Sequence, residues 1–493
     1  MHAPLLHMVP WLMAGIATAD AFGLQPGVWA AAVVLLAAMV SGRRPLLQTA
    51  LAGVCMMMIG MTLTGMRREQ LQRPAATRGE ATEAVVMSEP TMKRRSVAVD
   101  LLLVGSHRRV KAYLQPDARS RALQPATGIV LTAPIRPVGH YHVGNFDYGR
   151  YLFVSGFCGQ CYAKATQWRL QPEAWNRLSA LAKVRGAALR WRSQLLQRLR
   201  DVARDDGDAY GVLAAMTLGD KSGLSRDLRE VYSLTGTSHI LALSGLHMGI
   251  LFSLVALMMR PGRRSAAARL LTVALFWAFA VMTGLSTSVV RSALMLSLLA
   301  VLSLRSRDRL SLNMLSLAAI VMLLANPYAL YDIGFQLSFG AVLSIIVLLP
   351  VINGFWSEAM RARHHIIIRR VWPLVSLSLA SQIGTAPLVA YHFGKLSVLF
   401  LLTNLVAIPA AYAILWLCLA YMVWPLPLTG ELLTGTVRLL NGVLTTMASW
   451  PGASFTGLQP SAWQVVLCYV AIAAVAAVLR RLQSQKPMVV WPR

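Results

Sequence analysis

Ser244 and His247 stand three residues apart in the segment Thr237–Ile250, TSHILALSGLHMGI, with His239 just upstream. Residues three apart share a helical face, so a hydroxyl and an imidazole there could meet as nucleophile and base. Such a pair needs an orienting acid and an oxyanion site. Neither is evident nearby, and the chain is expected not to be an enzyme. The segment opens the apolar run Ile240–Met259. Polar groups at membrane depth are costly and mark a pathway or a site, and a Ser-Gly break exposes backbone groups that lipid cannot satisfy. Ser244 and Gly245 would equally suit close helix packing. Residue types alone leave a water-lined path and a packing surface both open.

Other chemistry is thinly represented. Cys158 and Cys161 form CGQC in a polar region. A local disulfide is expected there if the compartment is oxidising, since a lone pair of cysteines is not a zinc site and no thioredoxin-like context surrounds it. His140 and His142 form HYH, and His364 and His365 are adjacent, but neither pair comes with carboxylates. No metal and no cofactor are expected. No GxxxxGK[ST] run exists for nucleotide hydrolysis.

The elements that must position these residues belong to a membrane. The chain has 493 residues, 56% of them hydrophobic and 14% charged, which excludes an ordinary soluble domain. Apolar runs fall at about 8–23, 28–41 and 46–66, and again from 239 to 480. The first is not preceded by a basic n-region and reads as a retained membrane segment. The expected fold is a polytopic α-helical membrane protein with an inserted small extracytoplasmic β domain, a barrel of the oligonucleotide-binding type. Five regions follow: 1–66, N-terminal membrane segments; 67–175, the β domain, with strands at Ala84–Val86, Ser96–Val104, Arg109–Leu114 and Gly128–Ala133; 176–204, a basic amphipathic helix; 205–482, the membrane core; and 483–493, a tail. In the amphipathic helix Leu178, Leu181, Ala188, Trp191, Leu195, Leu199 and Val202 recur at intervals of three and four. It is expected to lie flat on the lipid surface with Trp191 at the headgroups; the alternative is a basic helix that guides nucleic acid, and different faces could serve both roles.

Net charge is +27, from 47 Lys and Arg against 20 Asp and Glu. Basic clusters at Arg43/Arg44, Arg260–Arg269, Arg305–Arg309, Arg361–Arg370 and Arg480/Arg481 give one consistent threading when all are cytoplasmic. The N-terminus is then inside and 67–238 outside, provided that 432–449 crosses. A second excess of basic residues lies in 67–204, where the positive-inside bias does not explain it and a polyanion would. Arg291, Asp332 and Lys395 end apolar runs at the outer face; each alone reads as a residue snorkelling to the interface, and as a set they could line an outer mouth.

Several stretches together carry more than a generic transporter pattern. They are AAMTLGDKSGL at 214–224, YSLTGTSHILALSGLHMGI at 232–250, TGLSTSVVRSAL at 283–294, NPYALYDIGFQLSFGAVL at 326–343 and QIGTAPLVAYHFGKLSVLFLLTNLVAIP at 382–409. In order and spacing they resemble the ComEC family of competence proteins, and NFDYGRY at 145–151 resembles that family's outer domain. The resemblance implies an inner-membrane channel that moves single-stranded DNA into the cytoplasm during natural transformation. Many relatives end in a metallo-β-lactamase-like nuclease domain; no HxHxDH run occurs here, and a separate nuclease, a DNA receptor and a cytoplasmic motor are expected as partners beside DNA and membrane lipid.

A channel must pass phosphates without trapping them. That division places basic collectors outside, with Lys93, Arg94, Arg95, Arg108, Arg109, Lys111, Arg185 and Arg192 as candidates for backbone contact. Tyr113, Tyr141, Phe146, Tyr148 and Tyr151 could stack on bases or fill the barrel core. His239, Ser244, Gly245, His247, Arg291, Asp332, Gln336, Gln382, Thr385, Lys395 and Asn404 are the candidate channel lining. The competing functions are a membrane hydrolase acting on a lipid-linked substrate and a scaffold binding an envelope polymer.

Overall fold

The computed structural model describes residues 4–27, 30–31, 33–34, 45–73, 81–139, 141–143, 146–204, 206–243, 245, 247–250, 266–302, 312–354 and 366–484. Most of the run 28–41, Ser244, His140, His364, His365 and most of the basic clusters lie outside them. The chain forms two compact units. One comprises 1–198, 261–304 and 316–332; the other comprises 199–260, 305–315 and 333–493.

In the first unit, α1 (Pro4–Phe22) and α2 (Pro45–Gln72) pack side by side. Their close approach depends on glycine: a Cβ on Gly15 would sit 2.0 Å from the Met57 carbonyl oxygen, and one on Gly60 2.7 Å from that of Leu12. In a bilayer, small residues substitute for the absent hydrophobic drive between helices.

The β domain follows. Its strands are β1 (Thr82–Val86), β2 (Thr91–Met92), β3 (Val97–Leu103), β4 (Arg109–Leu114), β5 (Gly128–Leu131), β6 (His142–Val143), β7 (Phe146–Asp147), β8 (Phe157–Ala163) and β9 (Trp168–Leu170). Two short helices interrupt them, α3 (Ala118–Arg121) and α4 (Tyr148–Val154). The main sheet runs β8-β4-β3-β1-β5-β9, with β2 on β3. It is antiparallel except for β4 and β8. The expected β domain is present as a half-barrel: among the described residues no pairing joins β8 to β9. Alternation explains its two faces. Val97, Val99, Leu101 and Leu103 point inward with Val110, Ala112, Leu114, Ile129 and Leu131, and Leu71 of α2 joins that core.

The opposite face changes the reading of 176–204. The helix is α5 (Ala180–Ala203). Leu189 on it and Leu178 just before it pack against Val85, Met87 and Val104 of the sheet. So part of this stripe is docked on protein, because the sheet has a second apolar face to cover. Leu181, Val184 and Trp191 remain outward. Completing the unit are α8 (Ala266–Met282), α9 (Thr287–Leu302) and α10 (Leu312–Ala325), then a 3-10 turn at Pro327–Tyr331. From that turn Tyr328 enters the barrel core, edge-on to Phe153 at 5.0 Å.

The second unit holds α6 (Gly207–Leu218), α7 (Arg226–Leu234), α11 (Ile333–Gly354), α12 (Ile366–Phe393), β10 (Lys395–Ser397), α13 (Phe400–Val423), α14 (Pro427–Ala448), β11 (Ser454–Thr456) and α15 (Ala462–Ser484). Among the described residues six helices are long and apolar enough to cross a membrane: Leu5–Phe22, Leu46–Gln72, Ile333–Gly354, Val371–Phe393, Phe400–Val423 and Ala462–Gln483. The protein is therefore a multi-pass membrane protein. α14 is not among the six, yet β10 and β11 pair antiparallel, Lys395 opposite Thr456. That pairing returns the chain to the level where α13 began. A helix of 22 residues spans about 33 Å, so α14 runs back alongside α13 through the depth of the bundle.

Candidate nucleic-acid interface

The parallel pairing of β4 with β8 sets Tyr113 beside Tyr162. Their rings stack at 4.9 Å between centroids and 15° between planes. α4 adds Tyr148 and Tyr151, stacked at 5.9 Å, and the Tyr113 and Tyr148 hydroxyls lie 2.9 Å apart. Lys93, from the turn between β2 and β3, places its ammonium 5.0 Å from the Tyr113 ring centroid and 5.6 Å from that of Tyr148. Tyr113 is buried at the base, whereas Tyr162 is 63% exposed and Tyr141 and Tyr151 are also open. Burial raises the Tyr113 hydroxyl above its ordinary range, and its bond to Tyr148 adds to this. Burial also raises Tyr162. The result is an uncharged aromatic shelf with a cation at its edge, the combination that holds unpaired bases. Phe146 contributes a backbone pair to Val143; its side chain lies outside the described residues. Tyr162 escaped the sequence reading because CGQC drew attention to sulfur and nothing in one sequence announces a parallel strand pair.

The eight cations expected to contact DNA divide sharply. Lys93, Arg94 and Arg95 are exposed in one turn. Lys111 and Arg109 instead hold Asp100, at 2.6 and 3.5 Å. Arg109 also donates to the Ser155 carbonyl and stacks on Phe157 at 4.4 Å. Arg108 donates to the Leu71 carbonyl. On α5, Arg185 donates to the Gly284 carbonyl at 3.2 Å, with burial lowering its pKa, and Arg192 is buried. In the free protein Lys111, Arg109, Arg108 and Arg185 thus face other protein groups and Arg192 is buried, whereas Lys93, Arg94 and Arg95 stand open.

The disulfide expectation is also corrected. Cys158 and Cys161 are free thiols, both in the barrel core. Three residues along an extended strand span roughly 10 Å, and a disulfide needs Cα atoms within about 7 Å. The Cys158 thiol donates to the Arg109 carbonyl at 3.2 Å. Burial pushes Cys161 up to about 12 and raises Cys158 as well. Since the thiolate is the reactive form, neither should be alkylated by a maleimide in the folded protein. Both should label once it is unfolded, read by intact mass; rapid labelling of native protein would contradict the buried geometry.

The candidate lining residues fall into separate groups. In the first unit Arg291, near the start of α9, pairs with Asp332 at 3.6 Å. Arg291 is 3% exposed, and its Nε has no hydrogen-bond partner among the described residues. In the second unit His392 and Gln336 join α12 to α11 through a 2.8 Å hydrogen bond. Asn404 of α13 donates to Ser378 of α12 at 3.4 Å. Thr385 bonds within its own helix, to the Ser381 carbonyl, and Gln382 is half-buried on the same helix. Lys395 pairs at 3.0 Å with Glu230, a residue that the sequence did not single out. His239 bonds back to the Gly236 carbonyl at 3.1 Å. His247 is buried and Gly245 exposed; Ser244 lies outside the described residues. Gly236 has φ +74°, and a Cβ there would meet the Ser397 Cβ at 2.8 Å. The tight Thr235–Thr237 turn, tied by Thr403 to the Thr235 carbonyl at 2.8 Å, therefore requires that glycine. Among the described residues no group of His, Cys, Asp and Glu could hold a metal.

Residues 216–482, more than half of the chain, match the family described as Competence protein. ComE operon protein 3 of Bacillus subtilis (strain 168) is 28% identical over 58% of this chain. Competence protein ComA of Neisseria gonorrhoeae is 30% identical over 44%. The uncharacterized protein YcaI of Escherichia coli (strain K12) is 23% identical over 71%. The matched region covers 34%, 31% and 43% of those relatives, respectively. No solved structure matches.

Proposed function

Because the chain belongs to the competence protein family, which is involved in DNA uptake, we propose that it is an inner-membrane channel passing single-stranded DNA to the cytoplasm. The observation that carries this reading is the tyrosine shelf with Lys93 at its edge. Stacking on tyrosine needs bases that are unpaired and splayed, and it tolerates any sequence. A duplex would present neither. Lys93, Arg94 and Arg95 in one exposed turn supply phosphate attraction outside the membrane, and this contact weakens with salt.

The membrane residues complement that collector. Arg291, His392, Gln336, Gln382 and Asn404 offer hydrogen bonds with few fixed charges, which suits a strand that must keep moving. Transport needs no covalent step by this chain. In this reading a cytoplasmic motor supplies the driving force, with a nuclease and a DNA receptor acting beside the channel.

The test is transformation of a deletion strain by genomic DNA. Complementation with the wild-type chain should restore it. The triple variant Lys93→Ala, Arg94→Ala, Arg95→Ala should restore it about tenfold less well at equal membrane abundance. Full transformation without the protein would end the proposal.

A further inference from the structure

A cavity of about 310 Å³ lies under the β domain, walled by Asp20 of α1, Arg68, Leu71 and Gln72 of α2, and Arg150, Gly149 and Phe153 of α4. Its place in the fold is specific. Asp20 is in the last turn of α1 and Arg68 to Gln72 in the last turns of α2. Both helices are membrane spans that end there, so the cavity sits at headgroup level. Arg150 is held by Asp20 through two guanidinium nitrogens and stacks on Tyr331 at 4.9 Å. That pair is neutral. Arg68 is the remaining charge in the wall: it is half-buried and has no hydrogen-bond or ion-pair partner among the described residues.

We infer that this cavity is a phosphate site which seats the headgroup of an anionic membrane phospholipid on Arg68, with Gln72 beside it. A guanidinium at a membrane boundary without a protein carboxylate is matched by a phosphate oxygen pair. The volume suits a glycerophosphate headgroup and is at the small end of ligand sites. The site is walled by the same α4 that carries Tyr148 and Tyr151 on the shelf. A seated lipid would fix that helix against the membrane without itself touching DNA. The inference stands apart from the channel proposal, since it uses neither the shelf nor the residues at membrane depth.

The test is native mass spectrometry of the full chain in detergent, titrated with phosphatidylglycerol or with phosphatidylcholine. One phosphatidylglycerol should survive activation that strips all others. Arg68→Ala should lower that retained population at least fivefold, Gln72→Ala less, and Arg121→Ala, on the exposed α3, not at all. Should Arg68→Ala fail to fold by circular dichroism, Arg68→Lys and Gln72→Ala carry the comparison. Inorganic phosphate alone, raising the melting temperature of delipidated wild type but not of the Arg68 variant, would support the phosphate site and assign it to free phosphate. Equal retention of both lipids by wild type and variants, or a response only to an oligonucleotide, would overturn the inference.

Discussion

Replacing Asp332 with alanine is expected to destabilise the protein by about 3 kcal/mol, the low end of the cost of stripping the partner from a buried ion. The low end applies because Asp332 keeps some solvent contact while Arg291 keeps almost none. The cost arises from Arg291, whose guanidinium would stay buried with its Nε already unpartnered. Replacing both at once, Arg291→Met with Asp332→Leu, removes the charge along with its partner. Such replacements are often neutral or stabilising by about 1–4 kcal/mol, so the double variant should unfold in detergent near the wild-type denaturant midpoint. The two readings of this pair then separate. If Arg291 meets phosphates during passage, the stable double variant should transform at least tenfold less than wild type. If the pair only holds α9 to the turn after α10, transformation should return with stability. Normal uptake by the double variant would remove Arg291 from the path.

The membrane character and the β domain were legible because both rest on local pattern. Runs of 18 or more apolar residues have few alternatives, and the alternation in Ser96–Val104 and Arg109–Leu114 appears as β3 and β4. What pattern could not supply is partnership between distant segments. Arg109 and Lys111 have the composition of a basic patch, but their charge is directed at Asp100 across one strand pair. Arg185 and Arg192 belong to a helix whose amphipathicity is genuine. Its covering surface is the second face of a sheet, and periodicity does not say whether an apolar stripe meets lipid or protein. α14 shows the converse. Glu431 and Arg438 depress its hydropathy, and its return alongside α13 emerges only through β10 and β11, three residues each. Arg438 meets Asp206 at 2.7 Å, and this bond holds the Asp206 carboxyl below its usual range while Asp206 caps α6. No single-sequence signal joins positions that far apart.

Substituting Tyr162 with alanine should weaken single-strand binding by the full chain by about 1–3 kcal/mol, roughly five- to over a hundredfold in Kd. Tyr162 is the outermost ring of the shelf, and its stack on Tyr113 leaves one face for a base. Tyr162→Phe keeps the ring and should bind like wild type, because the contact is to the face and not to the hydroxyl. The cations should behave differently. Removing Lys93, Arg94 and Arg95 together should reduce the salt slope of log K by up to about 2, at roughly 0.7 per single-strand phosphate, whereas Tyr162→Ala should leave the slope unchanged. The pH dependence adds an independent check. A tyrosinate would repel the strand, but both Tyr113 and Tyr162 titrate above the usual tyrosine range near 10. Affinity should therefore stay flat from pH 7 to 9 and fall only well above that. Fluorescence anisotropy with a labelled oligothymidylate measures all three. Equal affinity of wild type and Tyr162→Ala would mean that the stacked tyrosines serve only to close the edge of the sheet, as core residues reaching solvent.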